Sequence, residues 1–318
     1  HGDFETLVDS DLYLPRSWAD DRDRCRNAHI PDDLPYRPKT AIALAQVRQA
    51  IGNGLHFDWL VYDETYGKDP SFLFGLDALG QNGIGEVPSN FRCWPKLPPY
   101  CSLRREFASK EVYNVVRWSP AFVYQNWVPI SFARQSVEPI VWEVKAAPVY
   151  LVRDSRPTDR AYWLIVAWNR ATDEYKYFVS NASPRTKVDL LLKVGFRRAE
   201  VEHIFRLVKG EVGLGHFEGR SYVGLMRHMI LCQLINLFLA EQTRRMNHEI
   251  TASALKADGP RGEKIGPPTP AAQAGPVRED PNLAKPMCTN AQVLPAGSAA
   301  RHDGTDCRFA ELAVLPLA

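Results

Sequence analysis

An α/β fold is predicted by three features of the sequence. Segments with helical and strand-like hydrophobic spacing alternate between residues 39 and 87. Strand-like runs rich in aromatic residues dominate from about 90 to 183, and helical spacing returns from 186 to 245. Alternation of helices with an apolar strand is typical of a sheet that helices cover on its faces.

The first part of the chain supplies the alternating elements. "LVDSDLYL" (residues 7–14) predicts a strand that Pro15 ends, and "KTAIALAQVRQAIGNG" predicts a helix that stops at its glycines. "FDWLVYD" carries a nearly continuous apolar run, as expected of a strand covered on both faces. A helix with Pro70 in its first turn and a strand at "IGEVP" follow.

The middle part is predicted to be a β-rich section. Its strand-like runs are "VYNVVRW", "PIVWEVKAAPVYLVR", "AYWLIVAWN" and "EYKYFVSN", and "NRATDE" is typical of a hairpin turn between the last two. Five of its tryptophans are candidates for the sheet core, where most of them are expected. They are Trp118, Trp127, Trp142, Trp163 and Trp168.

The last part begins with helices and ends in a tail. The most apolar window, residues 222–240, contains Arg227, His228, Gln233 and Asn236, which favours a buried or amphipathic helix over a membrane span. Beyond 250 the chain is rich in Pro, Gly and Ala, a composition that predicts disorder or weak structure.

Charge and cysteine content restrict the function only loosely. A net charge of +2 does not by itself indicate a nucleic-acid binder, so any basic surface must come from local clustering. The six cysteines form no CxxC pair and no zinc-finger spacing, which favours free thiols in a reducing compartment over disulfides.

Asp63 is the first candidate for chemistry. It follows the apolar run that ends at Tyr62, and in sheets flanked by helices the sites gather at the carboxyl ends of strands. An aspartate there can bind a divalent cation, but it can also simply cap the next turn.

A second candidate group is Arg198, Glu202 and Lys209. Their spacings of four and seven residues place all three on one stripe of a helix. The glutamate could complete a metal site that Asp63 begins, with the two cations facing phosphates. An exposed helix with ordinary ion pairs is the alternative.

Both candidates together carry a resemblance to a known family. Arg198, Glu202 and Lys209 match the Arg-x3-Glu-x6-Lys portion of the signature of DDE transposases of bacterial insertion sequences. The blocks "LYLPRSWADDRDRC", "FDWLVYDETYG" and "VEHIFRLVKGEVGLGHFEGRS" resemble one subgroup in the expected order, from about residue 7 to 245. The Tyr position of the signature falls on Gly195, which is a departure.

The resemblance implies a ribonuclease-H-like fold and a metal-dependent endonuclease that performs DNA recombination. Asp63 and Glu202 would be the second and third acidic ligands of two Mg²⁺ or Mn²⁺ ions. Arg198, Lys209 and Arg220 would contact the DNA backbone. The expected partners are double-stranded DNA, at the terminal inverted repeats of its own element, and a second copy in a synaptic homodimer. A cytoplasmic, nucleoid-associated protein without membrane contact is expected.

The resemblance also divides the chain. Residues 1–89 and 184–247 would form the catalytic core, 90–183 a β-rich insertion between the second and third acids, and 248–318 a tail. Residues 1–14 are too short to contain the strand with the first catalytic Asp, so the core is expected to lack its amino-terminal part. An inactive transposase fragment that at most binds DNA is therefore the alternative prediction.

Overall fold

The computed structural model describes residues 4–98, 108–134, 137–257 and 310–312. The helices among these residues are α1 (Arg16–Ala19), α2 (Arg22–Asn27), α3 (Lys39–Gly52), α4 (Glu64–Gly67), α5 (Pro70–Ala78), α6 (Val112–Trp118), α7 (Pro120–Val123), α8 (Val188–Phe196), α9 (Arg198–Gly210) and α10 (Tyr222–Ala257). The strands are β1 (Asp9–Asp11), β2 (Leu60–Tyr62), β3 (Gly83–Val87), β4 (Arg92–Trp94), β5 (Lys110–Glu111), β6 (Val128–Arg134), β7 (Val137–Arg153), β8 (Arg156–Pro157), β9 (Tyr162–Asn169), β10 (Glu174–Ser180) and β11 (Ala310–Leu312).

Most strands join one mixed sheet in the order β2-β3-β10-β9-β7-β4-β5, with β6 and β8 also paired to β7. The β2–β3 pair is parallel and the other pairs are antiparallel. The strands β1 and β11 form a separate antiparallel pair. A mixed sheet flanked by helices confirms the predicted α/β class and is consistent with a ribonuclease-H-like fold.

Helices cover the sheet on both faces, and the period of two along each strand explains how. In β9, Leu164 packs in a core cluster that includes residues of α3 and α5, whereas its neighbour Ile165 packs in a second cluster with α8. Both side chains are fully buried. Successive strand residues point to opposite faces, so a nearly continuous apolar strand needs a cover on each side.

The strands of the predicted β-rich section extend the same sheet that contains β2 and β3. The hairpin between β9 and β10 lies at "NRATDE" as predicted, with Asn169 opposite Glu174. The prediction of a strand at "VYNVVRW" is wrong, because these residues form α6. Val112 and Val115, three residues apart, are its buried positions, a helical rather than an alternating spacing. The domain boundaries remain a prediction.

Two further predictions concern the end of the chain and the cysteines. Residues 248–257 of the predicted tail continue α10 as a helix, while most of the remaining tail lies outside the described residues. Among the described residues, Cys25, Cys93 and Cys232 are buried free thiols. Tight burial raises the pKa of Cys93 to about 12.

Helix α10 is only partly covered. Met229 and Cys232 are buried against Ile204 and Val208 of α9, but several large apolar side chains on its other side are exposed. By length and hydropathy alone, Tyr222–Glu249 could cross a membrane. Only 17% of its most apolar window is buried within the protein. The amphipathic helix predicted here is thus apolar on its outer side as well.

Candidate active site at the end of strand β2

Asp63 lies where the chain leaves the sheet after the buried residues Leu60 and Tyr62 of β2. Its carboxylate caps α4: Oδ1 accepts hydrogen bonds from the backbone N–H of Thr65 at 2.9 Å and of Tyr66 at 3.4 Å. The Thr65 hydroxyl donates to Oδ2 at 3.3 Å. The capping role therefore exists, and it fixes the direction of the carboxylate without occupying all of its lone pairs.

Helix α9 presents the second set of charged side chains. Ile204 and Val208 are buried and four residues apart, so they mark the face of α9 that packs against α10. Glu202 and Lys209 are exposed and Arg198 is partly exposed. The predicted placement of these three residues on one helix is confirmed.

The two candidate carboxylates converge on one guanidinium. Nη2 of Arg198 lies 3.2 Å from Oε1 of Glu202 and 3.8 Å from Oδ2 of Asp63. The two carboxylate oxygens are therefore separated by no more than the sum of these distances. The fold thus brings together residues from the end of β2 and from α9 that are far apart in the sequence.

Solvent exposure limits what these ion pairs contribute to stability. The exposed fractions of the side chains are 34% for Asp63, 32% for Arg198 and 63% for Glu202. Exposed pairs contribute about 0–1 kcal/mol each. A cluster that contributes little to stability and faces solvent is free to exchange one of its partners for a ligand.

Lys209 and Arg220 lie further along the chain. Lys209 is two turns beyond Glu202 on α9, and its Nζ lies 5.3 Å from the centre of the Phe205 ring. Arg220 is exposed on the loop between α9 and α10. That loop turns at Gly213, which has a φ of +84°, and is held by a contact of 3.0 Å between its carbonyl oxygen and Nε2 of His228. Arg220 is outside the contact group formed by Asp63, Arg198 and Glu202.

The donor atoms suit a hard divalent cation in type, because Mg²⁺ and Mn²⁺ prefer carboxylate oxygen. The number of donors is smaller than expected: within the described ranges, no three His, Cys, Asp or Glu side chains cluster as a metal site would require. Asp63 and Glu202 supply two carboxylates, and Arg198 already balances part of their charge.

The sequence did not predict that Arg198 would contact both carboxylates. The spacing of four residues between Arg198 and Glu202 is a signal for the pair within the helix. The contact with Asp63 depends on the packing of α9 beside the end of β2, for which the sequence carries no local signal. Thr65, which orients Asp63, was also missed, although its position two residues after a capping aspartate is a recognisable turn pattern.

Comparison with known proteins now adds to this geometry. Residues 1–106 match the family model of the DDE superfamily endonucleases. The amino-terminal third of the chain is therefore similar to the DDE superfamily endonucleases. The matched segment contains β2 and Asp63, whereas α9 lies beyond it. This match supports the resemblance found in the sequence and a nuclease or transposase type of function. A search of curated proteins gave no match.

Proposed function

We propose that this chain is a DDE transposase that hydrolyses phosphodiester bonds and transfers strands at the ends of a bacterial insertion sequence. The observation that carries the proposal is the convergence of Asp63 and Glu202 on Arg198 at the carboxyl end of β2, in a chain with a DDE superfamily segment. The substrate would be double-stranded DNA at the terminal repeats, in a synaptic homodimer in the cytoplasm.

Asp63 and Glu202 are the residues that would hold the divalent cations, Mg²⁺ or Mn²⁺. When bound, such ions activate the attacking oxygen and stabilise the leaving oxygen of an in-line displacement. The cap of α4 orients the Asp63 carboxylate, whose Oδ2 lies 3.8 Å from Nη2 of Arg198 on α9. Glu202 is the most exposed of the three side chains, so its carboxylate faces solvent from which a ligand would approach.

Arg198 would serve the DNA rather than the metal. A guanidinium that two carboxylates hold in the free protein can form equally good paired hydrogen bonds with a phosphate. With Asp63 and Glu202 engaged in holding cations, Arg198 would be available to the phosphates of the DNA backbone. Lys209 and Arg220 would add further phosphate contacts from the same helix and its following loop.

Trp118 would add a contact with a base. Of the five tryptophans named in the sequence, Trp142 is buried in the core, Trp127, Trp163 and Trp168 are half-buried, and Trp118 has 67% of its surface exposed. The guanidinium of Arg117 lies 5.0 Å from its ring. An exposed aromatic ring beside a cation suits stacking on an unpaired base next to the phosphate backbone.

The test is nicking of supercoiled plasmid in Mn²⁺. The wild-type chain is expected to nick, and both Glu202→Gln and Asp63→Asn are expected to abolish nicking because each removes a ligand charge. Glu211→Gln is the matched control, since Glu211 is exposed and lies half a turn around the axis from Glu202. Nicking that survives in Glu202→Gln would refute the assignment.

A DNA-binding chain without cleavage activity is the second candidate function. It is favoured by the presence of two carboxylates, rather than three, in the described part of the site. Its signature would be binding to duplex DNA that weakens with salt, together with no nicking in Mn²⁺. Loss of binding in Arg198→Ala and Lys209→Ala would then identify the phosphate contacts.

A further inference from the structure

The loop between α9 and α10, residues 211–221, is attached to α10 at two neighbouring carbonyl groups. Nε2 of His228 lies 3.0 Å from the carbonyl oxygen of Gly213. The thiol of Cys232 donates to the carbonyl oxygen of Val212 at 3.7 Å. His228 and Cys232 are four residues apart on α10, so both side chains leave the same face of that helix and meet the same stretch of the loop.

The contact at Gly213 fixes the tautomer of His228. A carbonyl oxygen can only accept a hydrogen bond, so Nε2 of His228 carries the proton and donates it. The same oxygen accepts from the backbone N–H of His216 at 2.9 Å, which closes the turn of the loop itself. The carbonyl of Gly213 therefore joins the turn to α10, and a side chain without a donor at position 228 would leave only the bond within the loop.

Phe217 packs the second half of the loop beside the same histidine. The centres of the Phe217 and His228 rings are 5.4 Å apart. A Cβ added to Gly219 would lie 2.5 Å from Cζ of Phe217, and one added to Gly224, in the first turn of α10, would lie 3.5 Å from it. The ring of Phe217 thus fills the space that these glycines leave, and close packing sets the path of the chain up to Gly219.

Arg220 follows directly after this attached segment and is exposed, while Lys209 lies at the end of α9, just before the loop. We propose that His228 is a positioning residue, whose hydrogen bond to Gly213 holds the loop so that Arg220 reaches the DNA phosphates together with Lys209. This inference rests on the proposed function. A cation that is already in place loses less conformational entropy when it binds, so an attached loop binds more tightly than a free one.

His228 would act through the loop and not through contact with DNA. Its ring is half-buried, and its Nε2 proton is donated to the protein. The neutral imidazole is sufficient for this bond, so no positive charge at position 228 is required. Glutamine carries an amide N–H at a similar reach from the backbone and should replace it, whereas leucine fills the space without a donor.

The first test is binding to duplex DNA over a range of salt concentrations. Arg220→Gln is expected to weaken binding several-fold and to reduce the slope of log K against log[salt] by about 1, the effect of one lost phosphate contact. His228→Leu should do the same, although no charge is removed, and His228→Gln should bind like the wild type. His228→Leu should add nothing in the Arg220→Gln background, because both changes remove the same contact.

The second test needs no DNA. Trypsin cleaves after arginine, and Arg220 is a target within the loop. Cleavage of the native full chain at Arg220 should be several-fold faster in His228→Leu than in the wild type and in His228→Gln, because a detached loop opens more readily. Arg185, exposed on the loop between β10 and α8, is the internal control and should be cleaved at the same rate in all three chains. Mass spectrometry of the fragments measures both rates.

The outcomes separate this inference from the proposed function. Faster cleavage at Arg220 together with weaker DNA binding, both reversed in His228→Gln, is the expected pattern. A wild-type chain that binds DNA no better than His228→Leu would overturn the positioning role while the proposed function stands. Unchanged cleavage at Arg220 in His228→Leu would overturn it as well. A wild-type chain that does not bind duplex DNA would refute the proposed function, and the role of the loop in binding with it.

Discussion

Replacement of Asp63 separates its structural role from its proposed catalytic role. The alanine variant loses the acceptor that binds the backbone N–H groups of Thr65 and Tyr66 at the start of α4. Loss of such a cap costs about 0.5–2 kcal/mol of the free energy of unfolding. The ion pair with Arg198 adds little, because its 3.8 Å distance joins two side chains that are each about a third exposed. We therefore expect Asp63→Ala to be destabilised by about 1 kcal/mol.

The asparagine variant should behave differently. Asn keeps a side-chain oxygen at the same position and caps helices about as well as Asp, so Asp63→Asn is expected to lie within about 0.5 kcal/mol of the wild type. Both variants remove the carboxylate charge and should lose Mn²⁺-dependent nicking alike. Urea denaturation followed by circular dichroism measures the stabilities, and an unchanged slope shows that the comparison is valid.

Two outcomes would refute this reasoning. Equal destabilisation of the asparagine and alanine variants would show that the charge of Asp63, and not its cap, stabilises the fold. Full nicking activity in the asparagine variant would show that Asp63 is not a metal ligand. A loss of activity in both variants with a loss of stability only in alanine is the expected pattern.

Three further predictions concern the core. A Cβ at Gly85 would overlap the ring of Tyr62, so Gly85→Ala should lower the free energy of unfolding by about 1–3 kcal/mol, as measured by urea denaturation. Gly52→Ala is the control, because its Cβ would meet open space and should leave the free energy of unfolding unchanged. Burial raises the pKa of Tyr177 to about 12, whereas a tyrosine in the unfolded chain titrates near 10. The stability that the neutral Tyr177 side chain contributes should therefore persist below about pH 10 and disappear between about pH 10 and 12. Tyr177→Phe should remove this loss, as ultraviolet titration and melting curves can show. Cys93 should resist thiol reagents at neutral pH until the protein unfolds, and mass spectrometry that finds it modified in the native state would contradict its burial.

The sequence predicted those parts of the fold whose signal is local. The helix α3 ends at its glycines, and the apolar run before Asp63 became β2 because both faces of that strand are covered. The segment "VYNVVRW" was misassigned because valine and aromatic residues favour strands, whereas the buried positions of α6 follow a helical period. In such short segments, contacts with the rest of the fold override propensity.

The candidate site was predictable only in part. The stripe formed by Arg198, Glu202 and Lys209 follows from helix geometry alone, and Asp63 follows from its place after a strand. The contact between Asp63 and Arg198 depends on the packing of α9 against the rest of the protein, which no short stretch of sequence specifies. The apolar outer side of α10 shows the same limit, because composition does not tell which side of an apolar helix is covered.

The position of β3 has a practical consequence for anyone who wishes to express parts of this chain. β3 lies between β2 and β10, and its residues from Ile84 to Val87 pair with β10 across the predicted boundary at residue 90. Lys176 Nζ of β10 also contacts Glu86 at 3.2 Å. A fragment that stops at residue 89 would expose one edge of β3, and the complementary fragment would expose an edge of β10. Both fragments should therefore aggregate when produced separately and recover solubility only when they are produced together.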